Sequence, residues 1–540
     1  MSIVGTLTKR IRLCGPGLAA FCTLLTTLGA VARLRPSNFV ADSLFRLFPT
    51  EDAYLMLTIA RNIAMGRGMT YSAGTVPTNG VQPLTAFIEA VCFWVVDGDR
   101  TAALQILLLV YTAIGAGTAV LIYHLGKVVF RDTAYAQRAP LLAASAWWAS
   151  PAILYHSMNM METGLYAASV ALVTLLFVRK HILDNGAWTL GQAFGLGTLL
   201  GVTFWVRNDA VFLMFAVGAA HLAFFHGATL RRRLLECLVM ATGCIMVSLP
   251  WLLYSVIGFD SLMPISGQSQ MQGGSIPANL MTLWLSLAHY LTLATAYNSS
   301  MSGEILITSI AAMVSIAIGI RVVRQQFPTA TLLKMSLVPI LYAAGLIIFY
   351  VFFFSAPYFI SRYLFALSPF VVLATAAVWL AVWQRLPRLG GTRLVVPIGL
   401  LVLFCGGGLG LGFAPLPGAL WQGTHWVLNH VDDQQWVAAF QSGTLGFFHD
   451  RTFNLDGKVD PAALVARRAH RHHAYVSTLP AVYIVDWLDL VDQWWTQDST
   501  IREQFKWILR EETANLGILL RVEPNTGPSS RDRRSSPEID

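Results

Sequence analysis

Apolar stretches of about 20 residues, the length that crosses the hydrocarbon core of a bilayer, return along most of this 540-residue chain. A segment inside hydrocarbon must satisfy its own backbone polar groups, so each spanning stretch is expected to be a helix. Composition agrees: charged residues make up 12%, against about 25% in an ordinary soluble domain, and hydrophobic residues reach 55% with a mean hydropathy of +0.57. A soluble protein of this size is excluded. A disordered chain is excluded as well, because it would lack the apolar surface that offsets conformational entropy. The expected fold class is an all-α polytopic membrane protein with a small extracytoplasmic α/β domain near the C-terminus.

Charge sets the expected topology. Lys9, Arg10 and Arg12 precede an apolar run to about Ala32, too long for a signal peptide and without a convincing small-residue cleavage site. It reads as a retained first helix with a cytoplasmic N-terminus. Further runs lie near 101 to 126, 139 to 157, 163 to 178, 189 to 206, 208 to 228, 235 to 257, 303 to 320, 333 to 354, 364 to 384 and 394 to 413, which makes about eleven spans. Every second connection carries Lys and Arg, as the positive-inside rule requires: Lys127, Arg131 and Arg138; Arg179 and Lys180; Arg231 to Arg233; Arg321, Arg324 and Lys334; Arg385, Arg388 and Arg393. The stretch Pro83 to Val96, about 14 residues with Glu89 inside it, reads as an interfacial or re-entrant helix.

The net charge of +8 therefore reports topology, and no nucleic-acid partner is expected. Cys14, Cys22, Cys92, Cys237, Cys244 and Cys405 all fall in apolar stretches, so no disulfide framework is expected. Outside the membrane lie a first loop, 33–100, a second from about Gly258 to Gly303, and the region after Phe413. The chain divides into a membrane domain, 1–413, a water-facing α/β domain, 414–524, and a disordered tail, 525–540. In the α/β domain AVYIVDW and LGILLRVEP read as strands and QFKWILREE as a helix.

The chemistry concentrates in the first loop. Glu51 and Asp52 follow Pro49 and Thr50 at the start of a helix expected to run to about Met65, with Gly66 and Gly68 ending it. Two acids there have an ordinary use in capping and in the helix macrodipole. At helical spacing Tyr54, Leu55, Ile59 and Ile63 face membrane or protein and hold a carboxylate near the bilayer surface.

EDAYLMLTIARNIAMGRG followed by TNGVQPL resembles the first outer loop of the GT-C superfamily of membrane glycosyltransferases, the group that includes protein mannosyltransferases, aminoarabinose transferases and arabinofuranosyltransferases. METGLY from Met161, GFDSLMPISGQ from Gly258, SRYLF from Ser361 and FQSGTLGFFHDRTFNLDGKVD in the C-terminal region are similar to further elements of that group, in the same order. One departure is Gln82, where related aminoarabinose transferases have a lysine before the Pro-Leu helix start.

The resemblance implies a multi-pass enzyme of the bacterial cytoplasmic (inner) membrane. Its donor would be a polyprenyl-phosphate-linked sugar, its acceptor a glycan, lipid or protein hydroxyl, and its immediate surroundings membrane lipids. Transfer would be inverting, with Asp52 as base; Glu51 would support it, replace it or hold a divalent metal, and no cofactor is certain. Arg362, Arg61 and Arg207 would meet the donor phosphate. Tyr54, Asn79, Gln82, His156, Glu162, Tyr363 and His449 would contact substrate.

Several have a structural alternative: Arg362 as an interfacial anchor, Arg61 as a headgroup contact, Arg207 as a local ion pair near Asp209, Asn79 with Gly80 as a turn, and His156, Glu162 and His449 as polar turn residues. GGGLGLG from Gly406 reads as close helix packing rather than a dinucleotide fingerprint. His470, His472 and His473 read as a solvated basic surface. A transporter or flippase for lipid-linked sugars, or a non-catalytic assembly subunit, are the alternative functions.

Overall fold

The computed structural model describes residues 16–183, 188–223, 228–271, 274–293, 302–385 and 418–522. Among them seven helices are long and apolar enough to cross a membrane: Gly17–Phe39, Arg100–Val129, Thr163–Ile182, Leu230–Phe259, Ile305–Gln326, Thr329–Phe352 and Pro357–Gln384. Leu190–Val206 and Ala210–Ala223 are shorter apolar helices on either side of the Arg207-Asn208-Asp209 turn. The chain is a multi-pass membrane protein. The expected span over 394–413, with its glycine-rich tract, and the expected tail over 525–540 lie outside the described residues.

The run from 139 to 157 is two helices rather than one. Ala139–Ala149 ends at Ser150, whose hydroxyl accepts from the Ile153 amide to cap Pro151–Ser157, with Pro151 in the first turn where its missing N–H costs nothing. Pro83–Val95 is the short helix expected; Phe87, Val91, Trp94 and Val95 form an exposed apolar flank, as an interfacial helix requires.

In the first loop, Thr50 caps the Glu51–Ala64 helix by accepting from the Ala53 amide at 3.2 Å. Gly66 and Gly68, at φ of 74° and 76°, turn the chain out of it, a backbone region in which side-chain-bearing residues are strained. A small hairpin follows, β1 (Thr70–Tyr71) paired antiparallel with β2 (Val76–Pro77).

The C-terminal region folds on a mixed five-stranded sheet built from β3 (Trp436–Ala439), β4 (Thr452–Asn454), β5 (Ala481–Trp487), β6 (Phe505–Glu511) and β7 (Leu516–Arg521), in spatial order β4-β3-β5-β7-β6. β3 runs parallel to β4 and β5, whereas β7 is antiparallel to β5 and β6. AVYIVDW and LGILLR are strands as expected. QFKWILREE is not a helix: its core is β6, hydrogen-bonded to β7 from Phe505↔Arg521 to Glu511↔Leu516. Phe505, Trp507 and Leu509 lie inward while Lys506, Ile508 and Arg510 are exposed, the two-residue period of an edge strand.

This domain does not hang free of the membrane domain. Tyr54, Tyr71 and Phe93 of the first loop share one apolar core with Leu107 and Tyr111 of the Arg100–Val129 helix and with Phe447 and Val459 of the sheet domain. Backbones meet at two glycines. A Cβ on Gly443 would stand 2.0 Å from the Glu51 carbonyl oxygen, and one on Gly80 would stand 2.1 Å from the Lys458 carbonyl oxygen.

Candidate active site

Consecutive residues on a helix point about 100° apart, and Glu51 and Asp52 use that divergence. Glu51 turns into the sheet domain. Its carboxylate accepts from the Gly443 amide, from the Thr444 amide at 3.0 Å and from the Thr444 hydroxyl, at the head of the Gly443–Phe448 helix. Burial raises its pKa, against the pull of those hydrogen bonds.

Asp52 turns the other way, into a cleft, and both of its oxygens are taken. Arg362 donates from Nη1 to Oδ2 at 2.8 Å, and Lys458 donates from Nζ to Oδ1 at 2.8 Å. Lys458 is also 3.2 Å from Asp456. Burial alone would raise the Asp52 carboxyl, but the ammonium of Lys458 and the guanidinium of Arg362 outweigh it and hold the group well below the usual carboxylate range. Burial would lower the Lys458 ammonium, but the carboxylates of Asp52 and Asp456 outweigh it and push the group upward, so the pair is ionised at neutral pH.

The cleft is partly open and has a cavity volume of about 140 Å³. Asp52, Gln82, Glu162, Arg207, Asn208, Asp209, Tyr363, Arg362 and Lys458 give it a polar floor, and Met263, Met271, Phe349 and Phe354 give it an apolar wall. The lining comes from the first loop, the turn near 162, the turn at 207–209, the segment after Gly258, the start of the Pro357–Gln384 helix and the sheet domain. These segments therefore gather at one end of the bundle. Lys127, Arg131 and Arg179, from connections expected inside, line a separate hollow together with His124.

Several buried polar atoms around the cleft find no hydrogen-bond partner among the described residues: Arg362 Nε, Gln82 Oε1, Glu162 Oε2, Asn208 Oδ1 and, beside it, Asn79 Nδ2. Unpaired buried donors and acceptors are costly, and gathered at one hollow they suit a polar ligand.

The expected site residues divide by position. Asp52, Gln82, Glu162, Arg207, Arg362 and Tyr363 line the cleft together. Arg207 has little left to offer a ligand: its nitrogens meet Asp209 at 2.6 Å, Glu162 at 2.7 Å and the Tyr350 hydroxyl at 3.1 Å, and its guanidinium lies 4.2 Å from the Tyr363 ring centre. Asn79 accepts from the Ile265 amide at 3.1 Å and so fixes the segment after Gly258.

The others stand away from the cleft lining. Arg61 meets Asp450 at 3.0 Å and the Gly98 carbonyl at 3.0 Å, in a cluster with Arg67 and Arg100 that ties the first loop to the sheet domain. Tyr54 is buried, its hydroxyl donating to the Phe45 carbonyl at 2.6 Å. His156 meets the Ser361 hydroxyl at 2.9 Å, behind Arg362, and His449 meets Thr452 at 3.3 Å. Among the described residues no group of three or more His, Cys, Asp or Glu is placed to hold a metal ion.

Sequence reasoning did not select Lys458. It stands on a turn of the sheet domain, after Gly457 at φ 75°, and nothing in its spacing ties it to a helix start 406 residues earlier.

A helical membrane bundle, with its first loop and a small sheet domain closing a charged cleft, defines a class of architecture. Solved structures share the fold along most of the chain. The structure of ArnT from Cupriavidus metallidurans bound to undecaprenyl phosphate aligns with a TM-score of 0.57 at 13% identity, over 95% of this chain and 99% of that one. The oligosaccharyltransferase of Archaeoglobus fulgidus, in complex with Zn and sulfate, aligns with a TM-score of 0.52 at 12% identity, over 92% of this chain and 72% of that one. The same organism's AglB, with an inhibitory peptide and a dolichol-phosphate, gives 0.51 at 12% identity over 94% and 74%. Neither a family model nor a curated protein matches the sequence. The chain shares the fold of these structures.

Proposed function

We propose that this protein is a membrane glycosyltransferase that moves a sugar from a polyprenyl-phosphate carrier to an acceptor hydroxyl at the outer face of the cytoplasmic membrane, with inversion. The observation that carries the reading is the meeting of Asp52 and Arg362, 2.8 Å apart, in a cleft with a polar floor and an apolar wall. A sugar phosphate fits the first surface and a prenyl chain the second. The neighbouring fold from Cupriavidus metallidurans was solved with undecaprenyl phosphate, a carrier of that chemistry.

In the reaction the Asp52 carboxylate takes the proton of the acceptor hydroxyl, whose oxygen bonds to the anomeric carbon. The anomeric carbon–oxygen bond to phosphate breaks, and its electron pair stays on the phosphate oxygen. Base assistance of this kind contributes about 10² to 10⁴ in rate. Arg362 neutralises the charge that develops on the leaving phosphate. Arg207, held by Glu162, Asp209 and Tyr350, acts as a rigid support beneath Tyr363.

A transfer assay tests this. The protein is placed in liposomes with a panel of radiolabelled polyprenyl-phosphate sugars, and wild type is compared with Asp52→Asn. Transfer by wild type, lost in the variant, is expected. Equal turnover in both would sink the base assignment.

A further inference from the structure

A lysine only 14% exposed in the lining of a cleft needs a reason, since drawing an ammonium partly out of water is expensive and its long side chain loses rotamer freedom. Lys458 is such a residue. It reaches from the sheet domain into the same hollow as Arg362, and the two cations flank one carboxylate, one on each oxygen. They also share an aromatic wall, Lys458 Nζ lying 5.5 Å and the Arg362 guanidinium 4.4 Å from the Phe359 ring centre. The Lys458 backbone is fixed by its contact with Gly80 and by Asp456, whose Oδ1 accepts from the Lys458 amide at 2.8 Å.

Resting on the reading above, we propose that Lys458 is the second cation of the donor-phosphate site, and that in the donor-free protein it and Arg362 mask Asp52 until the phosphate draws them off. A carboxylate whose two oxygens both accept from cations is a poor base. An arriving phosphodiester competes for the same two donors, frees one or both carboxylate oxygens, and leaves the base beside the acceptor it must deprotonate. During transfer the negative charge leaves Asp52, which gains the acceptor proton, and appears on the departing phosphate. Two cations within reach of both positions serve the start and the end of that step. Donor is thereby bound before the base becomes effective.

The charged groups that face Asp52 are Lys458 and Arg362 directly, Glu51 as its chain neighbour, Asp456 beyond Lys458 and Glu162 near Arg362. Removing Lys458 alone therefore leaves Arg362 as the remaining cation on the carboxylate.

The experiment measures binding of undecaprenyl phosphate to the full-length protein in detergent, together with the pH profile of kcat/KM. Lys458→Gln is expected to weaken binding about 10- to 100-fold, the worth of a charge-assisted contact. It is also expected to move the acid limb of the profile up by about one to three pH units, because Asp52 loses a stabilising charge. Lys458→Arg should restore both. A purely structural lysine would lower stability in Lys458→Gln without moving that limb. Should Lys458→Gln not fold, Asp456→Asn carries the test with the opposite sign: freeing Lys458 from its other carboxylate tightens undecaprenyl phosphate binding. Unchanged binding and an unmoved acid limb in Lys458→Gln overturn the inference, as does unchanged or weaker binding in Asp456→Asn. Failure of wild type itself to bind undecaprenyl phosphate overturns instead the donor assignment on which it rests.

Discussion

Glu51 and Asp52 are adjacent in the chain and serve different parts of the molecule: Glu51 binds the Thr444 amide of the sheet domain at 3.0 Å, and Asp52 binds Arg362 in the cleft at 2.8 Å. Their amides should separate accordingly. Asp52→Asn is expected to fold and to lose about 10²- to 10⁴-fold in transfer. Glu51→Gln is expected to leave a buried amide without its acceptor and lower stability by about 1–3 kcal/mol, with activity of the folded fraction retained. Thermal unfolding in detergent beside a transfer assay distinguishes them.

Asp486 sets a pH dependence of opposite sign to that of Asp52. Burial pushes its carboxyl up to about 7, although the amides of Phe440, Gln441 and Trp487 pull it down. The folded chain thus keeps a proton that the unfolded chain releases near pH 4. Stability from this group is full below about pH 4, declines as pH rises toward 7, and is level above. Asp52, lowered in the fold, contributes stability that is lost only on acidification below about pH 4. Melting temperatures between pH 4 and 8 should show the decline. Asp486→Asn should weaken it; Glu51 and Asp460, which burial also raises, add to the decline, and His449 and His472, which burial lowers, oppose it.

Gly80 is where the first loop touches the backbone that carries Lys458. A methyl group there meets a carbonyl oxygen at 2.1 Å, and backbone, unlike a flexible side-chain tip, cannot step aside. Gly80→Ala is expected to cost about 1–3 kcal/mol and to reduce transfer by displacing Lys458. Gly117→Ala, with nothing within 4 Å of its new Cβ, is the control and should leave both unchanged.

Arg207 is almost fully buried, its side chain 6% exposed, and it faces two acids, Glu162 and Asp209. Arg207→Ala leaves both without their cation and is expected to lower stability by about 3–5 kcal/mol. Arg207→Met combined with Glu162→Gln and Asp209→Asn should recover part of that loss, because the uncompensated charges are gone. Unfolding midpoints of the single and triple variants check this.

The apolar runs made most of the helices legible, since their length and the Lys/Arg connections leave few alternatives. The break at Ser150-Pro151 was also present in the sequence, as a capping residue before a proline, but the apolar run hides it. β6 was misread because Arg510, Glu511 and Glu512 favour a helix, whereas pairing with β7 and the alternation of Phe505, Trp507 and Leu509 decide for strand. The motifs that contain Asp52 and Arg362 single them out, and the structure brings the two together in the cleft. Arg61 looked equivalent to them on charge alone; its partner, Asp450, lies 389 residues away, and only tertiary structure reveals that the pair occupies itself. Lys458 was missed for the same reason: a turn lysine acquires meaning from what it touches.

The contact between Asp52 and Lys458 spans 406 positions in the chain. A ribosome that has made the helices up to Gln384 has not yet made Lys458, so the charged cleft is still incomplete. On the proposed reading, sugar transfer awaits synthesis and docking of the sheet domain.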